Sequence, residues 1–179
     1  MKIQKDFIYL AVIVILIGIC GQFYYDYKYK PDREIRVYYN RDVEANQEIT
    51  KVIRDADKQV HFAIYTFTRS DIKDALLGAK YRGLDVRGIV DKEQTDRIEE
   101  QRKIIDELKN AGIPIGFDDH SGIMHLKTIV TEKAYVSGSY NWTLSATNSN
   151  DEVLEIGTDQ NVRKQYDQVL EELFSLYLY

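Results

Sequence analysis

At 179 residues the chain has room for one hydrophobic core and too little for two; 44% hydrophobic and 30% charged residues place its bulk in the ordinary globular class and exclude a disordered or fibrous chain. The formal charge is −5, and without residues 1–30 the remainder holds 20 basic and 27 acidic residues, a net of −7. Its general field therefore repels polyanions, so nucleic-acid binding needs a local basic patch, and the single cysteine, Cys20, excludes an internal disulfide.

The first element in chain order is an uncharged run of nineteen residues, Phe7 to Tyr25, preceded by Lys2 and Lys5. About twenty apolar residues cross a bilayer as a helix. Residues 1–30 are therefore expected to form a membrane anchor or signal segment with its juncture, and residues 31–179 the folded domain. Lys28, Lys30, Arg33 and Arg36 after the run pull towards a cytoplasmic domain. The short tail and signal-like run favour export, which is the expected orientation.

"IRVYYN" then reads as a short strand, and "EANQEITKVIRDADK" places Ile49, Val52, Ile53 and Ala56 on one helical face. "VHFAIYTF" reads as an apolar strand. Ser70 opens a helix with the stripe Ile72, Ala75, Leu76 and Ala79, stopped at Gly83, and "DVRGIV" is a third strand. A helix is predicted over Thr95 to Ala111, closed by Gly112 and Pro114, followed by the strand "IPIGF". Residues 126–131 and 134–138 form a predicted hairpin, 153–157 a strand, and Val162, Tyr166, Val169, Leu170 and Leu173 mark a final amphipathic helix. Strands alternating with helices imply an α/β fold, with a mixed, largely parallel sheet sandwiched between helices.

The hairpin carries "HLKTIVTEKAYVSGSYN". In extended backbone residues i and i+2 share a face, so His125 lies beside Lys127 and Ser139 beside Asn141. Imidazole, ammonium, hydroxyl and carboxamide together suit a phosphate: the lysine neutralises its oxygens, asparagine and serine hold them or orient the imidazole, and the histidine attacks phosphorus. Asn141 also opens "NWTLSAT", a helical turn with amides that attract an anion. The attacking ring needs a carboxylate behind it, for which Glu152 is the candidate and Asp151 and Glu155 the competitors.

His125-x-Lys127, Gly138-Ser139-x-Asn141 and the acid at Glu152 resemble the catalytic motif of the phospholipase D superfamily. "VYYNRDVEANQEITKVIRDADKQVHFAIYTFT" and "ALLGAKYRGLDVRGIVDKEQ" resemble its flanking elements, so the likeness covers roughly residues 35–175. The small single-motif bacterial nucleases, and the mitochondrial cardiolipin hydrolase and piRNA-pathway nuclease, are the subgroups it is most similar to. One departure is Glu132, where the family usually has aspartate. The resemblance implies a phosphodiesterase that needs no metal and no cofactor, with a phosphohistidine intermediate and with Lys127, Asn141 and Gly138 binding the substrate.

A single motif leaves one reactive imidazole per chain, whereas nucleophilic attack and leaving-group protonation need two groups. His61 reads as a hydrogen-bonded core residue and His120 as a solvated loop residue. A homodimer sharing its site across a twofold axis meets the demand. Nucleic acid is the expected substrate, with phospholipid or cardiolipin as the alternative and a catalytically silent phosphate-binding module as a third reading. Tyr140 and Trp142 are expected in the core or at the dimer interface rather than stacked on bases. Arg97, Arg102 and Lys103, offset by Glu99 and Glu100, are expected on a solvated helix face, and Asp118, Asp119 and His120 in a loop rather than around a metal.

Overall fold

A computed structural model of the chain describes residues 2–29, 34–42 and 44–178 and divides into two units, residues 1–32 and 33–179. The first unit contains helix α1 (Lys2–Tyr29). Its stretch Ile8–Tyr25 is unburied, apolar, and long enough to cross a membrane.

The second unit runs β1 (Ile35–Tyr39), α2 (Ala45–Asp55), β2 (Gln59–Ile64), α3 (Ser70–Tyr81), β3 (Asp85–Asp91), α4 (Lys92–Arg97), α5 (Glu99–Asn110), β4 (Ile115–Asp118), β5 (Lys127–Thr131), β6 (Tyr135–Gly138), α6 (Leu144–Asn148), β7 (Val153–Gly157) and α7 (Gln160–Tyr177). The strands form one mixed sheet in the order β1-β7-β6-β5-β2-β3-β4. Pairs β2·β3 and β3·β4 are parallel and the other four antiparallel. The parallel share is thus smaller than the sequence suggested. Helical crossovers join parallel neighbours only from β2 to β4; α2 carries the chain from β1 to the like-directed but non-adjacent β2, and the hairpin after β5 reverses the chain. The helix expected over 95–111 is broken at Ile98, whose extended backbone separates α4 from α5.

Period-two alternation distributes the core. Val60, Phe62 and Ile64 of β2 face α2, α3 and α5, which contribute Ile49, Ile53, Ile72, Leu76, Ile105 and Leu108. Ala63, Ile89, Val130 and Tyr135 face the opposite way, against Leu170 and Phe174 of α7. Each such fully buried aliphatic or aromatic side chain contributes about 1.5–3 kcal/mol. Gly88 has no side chain because a Cβ there would stand 2.1 Å from Cζ of Phe62.

His61 is a core residue, 2% exposed, on the α7 side. Its Nδ1 lies 3.1 Å from Asp167 and its Nε2 3.0 Å from Asp85. Arg87 supplies the neighbouring cation, 2.9 Å from Glu171 and 3.0 Å from Asp85, and stacks over Phe174. The network ties α7 to β2 and β3. Trp142 and Tyr140, each 1% exposed, pack into the core and offer no face to a base. Arg97 and Lys103 make i,i+4 pairs with Glu93 and Glu99 on the surface of α4 and α5.

Candidate active site

The pair directions bring the C-terminal ends of β1, β2, β3, β4 and β6 and the N-terminal ends of β5 and β7 to one edge of the sheet. His125, Lys127, Ser139, Asn141 and Glu152 all lie along it. Lys127 is the first residue of β5 and 5% exposed, whereas His125 belongs to the loop before it and is exposed. Only Lys127 lies within the strand, and a direct link joins the two residues. Lys127 Nζ donates to the His125 carbonyl oxygen at 2.8 Å.

Two neighbours fix the loop that carries His125. Asp91, buried at the end of β3, accepts from Met124 N at 3.0 Å and, with its other oxygen, from Gln94 N at 2.7 Å, capping α4. Tyr65 N donates to Leu126 O at 2.9 Å. Tyr65 is held in turn by Gln101, a fully buried residue of α5, which donates to Tyr65 O and accepts from Phe67 N.

Burial drives the Lys127 ammonium from 10.5 down to about 8, against the nearby Glu152 charge, which favours the protonated form. Around neutral pH it remains mostly a cation and is only weakly hydrated. Asn141 Oδ1 accepts from Thr66 N at 3.3 Å, which leaves the carboxamide NH2 as the donor available to a ligand. Trp142 anchors this segment through a parallel bridge with Phe67.

Glu152, 8% exposed, accepts from the Ser139 hydroxyl and from Asn150 Nδ2 at 3.0 Å. The carboxylate expected behind the imidazole is thus hydrogen-bonded to serine and asparagine in this structure. In the sheet order β6 lies between β7 and β5, so the strand that leads to Ser139 separates those that follow Glu152 and His125. The competing acids are engaged elsewhere: Asp151 with Tyr39 and Arg41, Glu155 with the Tyr135 hydroxyl. Asn40, which no sequence pattern marks out, holds the Glu152 backbone by accepting from its N–H at 2.9 Å and donating to the Ala146 and Asn150 carbonyls.

Gly138 has φ +143°, and a Cβ would stand 2.1 Å from Val153 O, so the backbone itself requires glycine there. The helical turn after Asn141 begins later than expected. Thr143 caps α6 by accepting from Ala146 N at 3.1 Å and uses one of the amides expected to face an anion. Glu132 accepts from the backbone N–H groups of Asp57, Lys58 and Gln59 and serves the entry to β2. His120 is exposed, with Nδ1 2.5 Å from Asp118.

The family model described as the PLD-like domain of cardiolipin synthase matches residues 49–174. The chain belongs to the phospholipase D superfamily. It is 33% identical over 123 residues to the mitochondrial cardiolipin hydrolase of Xenopus tropicalis, covering 68% of this chain and 57% of that protein. It is 31% identical over 121 residues to phospholipase D of Rickettsia prowazekii (strain Madrid E), covering 67% and 58%. The chain thus spans less than two thirds of these relatives. Among solved structures, the phospholipase D family member Nuc from Salmonella typhimurium superposes with a TM-score of 0.77 at 24% identity, covering 82% of this chain and 97% of Nuc. NucT from Helicobacter pylori gives 0.74 at 23%, covering 82% and 99%. Both share the phospholipase D fold seen here.

Proposed function

We propose that the protein is a metal-independent phosphodiesterase of the phospholipase D superfamily, cleaving nucleic acid as an endonuclease from a site shared by two copies of the chain. The observation that carries this reading is the meeting, on one sheet edge, of the exposed His125 imidazole with the buried Lys127 ammonium, the Asn141 carboxamide and the Ser139–Glu152 pair. In the proposed reaction His125 attacks phosphorus, and the bond to the departing oxygen breaks. His125 of the partner subunit protonates that oxygen. The same partner imidazole then takes a proton from water, whose oxygen bonds to phosphorus as the phosphorus–nitrogen bond breaks and His125 is restored. Lys127 and Asn141 neutralise and hold the phosphate oxygens, while the Gly138 backbone and the Ser139–Glu152 pair shape the wall beside them.

Near-complete coverage of Nuc and NucT by the domain supports the compact nuclease reading. Lipid phosphodiester hydrolysis is the second reading, favoured by the apolar α1 helix and by relatives named cardiolipin hydrolase and phospholipase D. In either case residues 1–30 tether the domain of residues 31–179 to a membrane, with the domain on the exported side.

The deciding experiment incubates the full chain in detergent, with chelator, against single-stranded DNA, RNA and phospholipid vesicles. Nucleic-acid cleavage is expected, with acid-labile phosphate on His125 after rapid quenching. Lipid turnover without nucleic-acid cleavage reverses the ranking, and full activity in a strictly monomeric preparation removes the shared site.

A further inference from the structure

Tyr65 is the point at which the two most reactive groups of the site meet one aromatic ring. Its ring centroid lies 4.8 Å from that of His125, inclined by 61°, an edge contact. Lys127 Nζ lies 5.3 Å from the same centroid, within cation–π range. Lys127 in turn donates to the His125 carbonyl, so the three residues form a closed triangle.

The ring is placed with unusual care. Its backbone N–H is bound to Leu126 O, between His125 and Lys127 in sequence, and its carbonyl is taken by the buried Gln101. The next residue, Thr66, donates to Asn141. One short segment after β2 therefore touches three of the candidate catalytic residues. The Tyr65–Leu126 bond continues the β2–β5 ladder, which brings the ring beside both His125 and Lys127.

We propose that Tyr65 is a positioning residue, whose π face keeps Lys127 cationic in its buried setting and whose ring edge fixes the orientation of the His125 imidazole. Burial favours the neutral amine, while the Glu152 carboxylate and the ring's quadrupole both favour the ammonium, so the ring adds to Glu152 against burial on the same proton. A lysine buried against aliphatic side chains alone would lose its charge at lower pH. The ring thereby preserves the group that neutralises phosphate without admitting the water that would otherwise stabilise it. This inference rests on the phosphodiesterase reading for its significance, though not for its measurement.

The test is the titration of Lys127 by NMR in the full chain in detergent, using lysine labelled with 13C and 15N and assigned with Lys127→Arg. The Lys127 midpoint is expected to fall by about 0.5–1 pH unit in Tyr65→Leu, and to stay near the wild-type value in Tyr65→Phe. Should Tyr65→Leu fail to fold, Tyr65→Phe with a progressively fluorinated ring weakens the π face at nearly constant shape, and the midpoint should fall stepwise with fluorination. In the same spectra the His125 ring signals should broaden or shift in Tyr65→Leu and be restored by Tyr65→Phe. A Lys127 midpoint indifferent to loss or fluorination of the ring overturns the proposal. Because the readout is a titration, failure of the chain to cleave any phosphodiester leaves this result standing and instead counts against the proposed function.

Discussion

The Ser139 hydroxyl donates to the Glu152 carboxylate and, through the same oxygen, accepts from Val153 N at 3.1 Å. Serine and acid are therefore one hydrogen-bonded unit spanning β6 and β7. Removing either leaves the other without this hydrogen-bond partner, though Glu152 keeps Asn150 and Ser139 keeps Val153 N. Glu152→Gln is expected to lower kcat/KM by about 100-fold and Ser139→Ala by about tenfold, within the range for groups that position acid–base catalysts. The double variant should lose little more than Glu152→Gln alone, since neighbours acting together are not additive. Steady-state kinetics on the substrate identified by the panel assay checks this, and full additivity would show that the pair does not act as a unit.

Lys127 gives a prediction that separates stability from activity. Its pKa is held at about 8 in the folded protein against 10.5 for an unperturbed lysine, chiefly by burial. Between those values the unfolded chain binds more protons, so stability rises with pH from about 8 to about 10.5 and carries a constant penalty below about 8. A difference of this size corresponds to at most about 3 kcal/mol. Lys127→Met is expected to raise the unfolding temperature at pH 7, with the advantage over wild type shrinking at pH 10. It should also abolish phosphodiester cleavage. In the wild type, cleavage should fall as pH rises through about 8 and the ammonium deprotonates. A destabilised Lys127→Met protein would show that the bond to His125 O outweighs the cost of burying the charge.

Gly138 was legible as part of a motif and invisible as a steric requirement. Its φ of +143° and the 2.1 Å approach of a hypothetical Cβ to Val153 O leave a side chain no room against backbone. Gly138→Ala is expected to cost about 2–4 kcal/mol, the range of strained backbone combined with overpacking. Chemical denaturation measures it, and a loss below about 0.5 kcal/mol would mean that β6 and β7 can separate locally at no cost.

The boundary between what the sequence told and what it withheld follows a physical line. Strand β7 was readable at Val153–Gly157 because its alternation is a local property, and the stripe on α3 because helical period is local too. Sheet order is not local. Without it, the bond between Ser139 and Glu152 across the ends of β6 and β7 could not be seen. Asn40 and Gln101 act through backbone groups distant in sequence, and a buried amide among charged neighbours carries no periodic mark. The extended backbone of Ile98 splits the predicted helix, and α4 starts earlier than expected because Asp91 at the end of β3 caps it by accepting from Gln94 N. Tyr65 was hidden in an apolar strand pattern, where an aromatic residue reads as core.

Glu132 supports the fold at a distance from the chemistry. Its carboxylate accepts from the N–H groups of Asp57, Lys58 and Gln59 at 2.8, 3.2 and 3.4 Å, the turn that starts β2. Burial raises its pKa and the amides more than compensate, so the folded-state value lies below the usual 4.5. A depressed carboxyl contributes stability that is present above the unfolded value and lost as pH falls through the folded one. Glu132→Ala strands three amides and is expected to cost about 1–3 kcal/mol at pH 7, the cost diminishing below pH 4. Glu132→Asp shortens the reach by one methylene and should fall between the two. Unfolding of both variants at pH 7 and pH 3.5 tests the sign, and kcat/KM of the folded variants, measured well below their midpoints, should match wild type. A large loss of turnover in a fully folded Glu132→Ala protein would assign this acid to the chemistry after all.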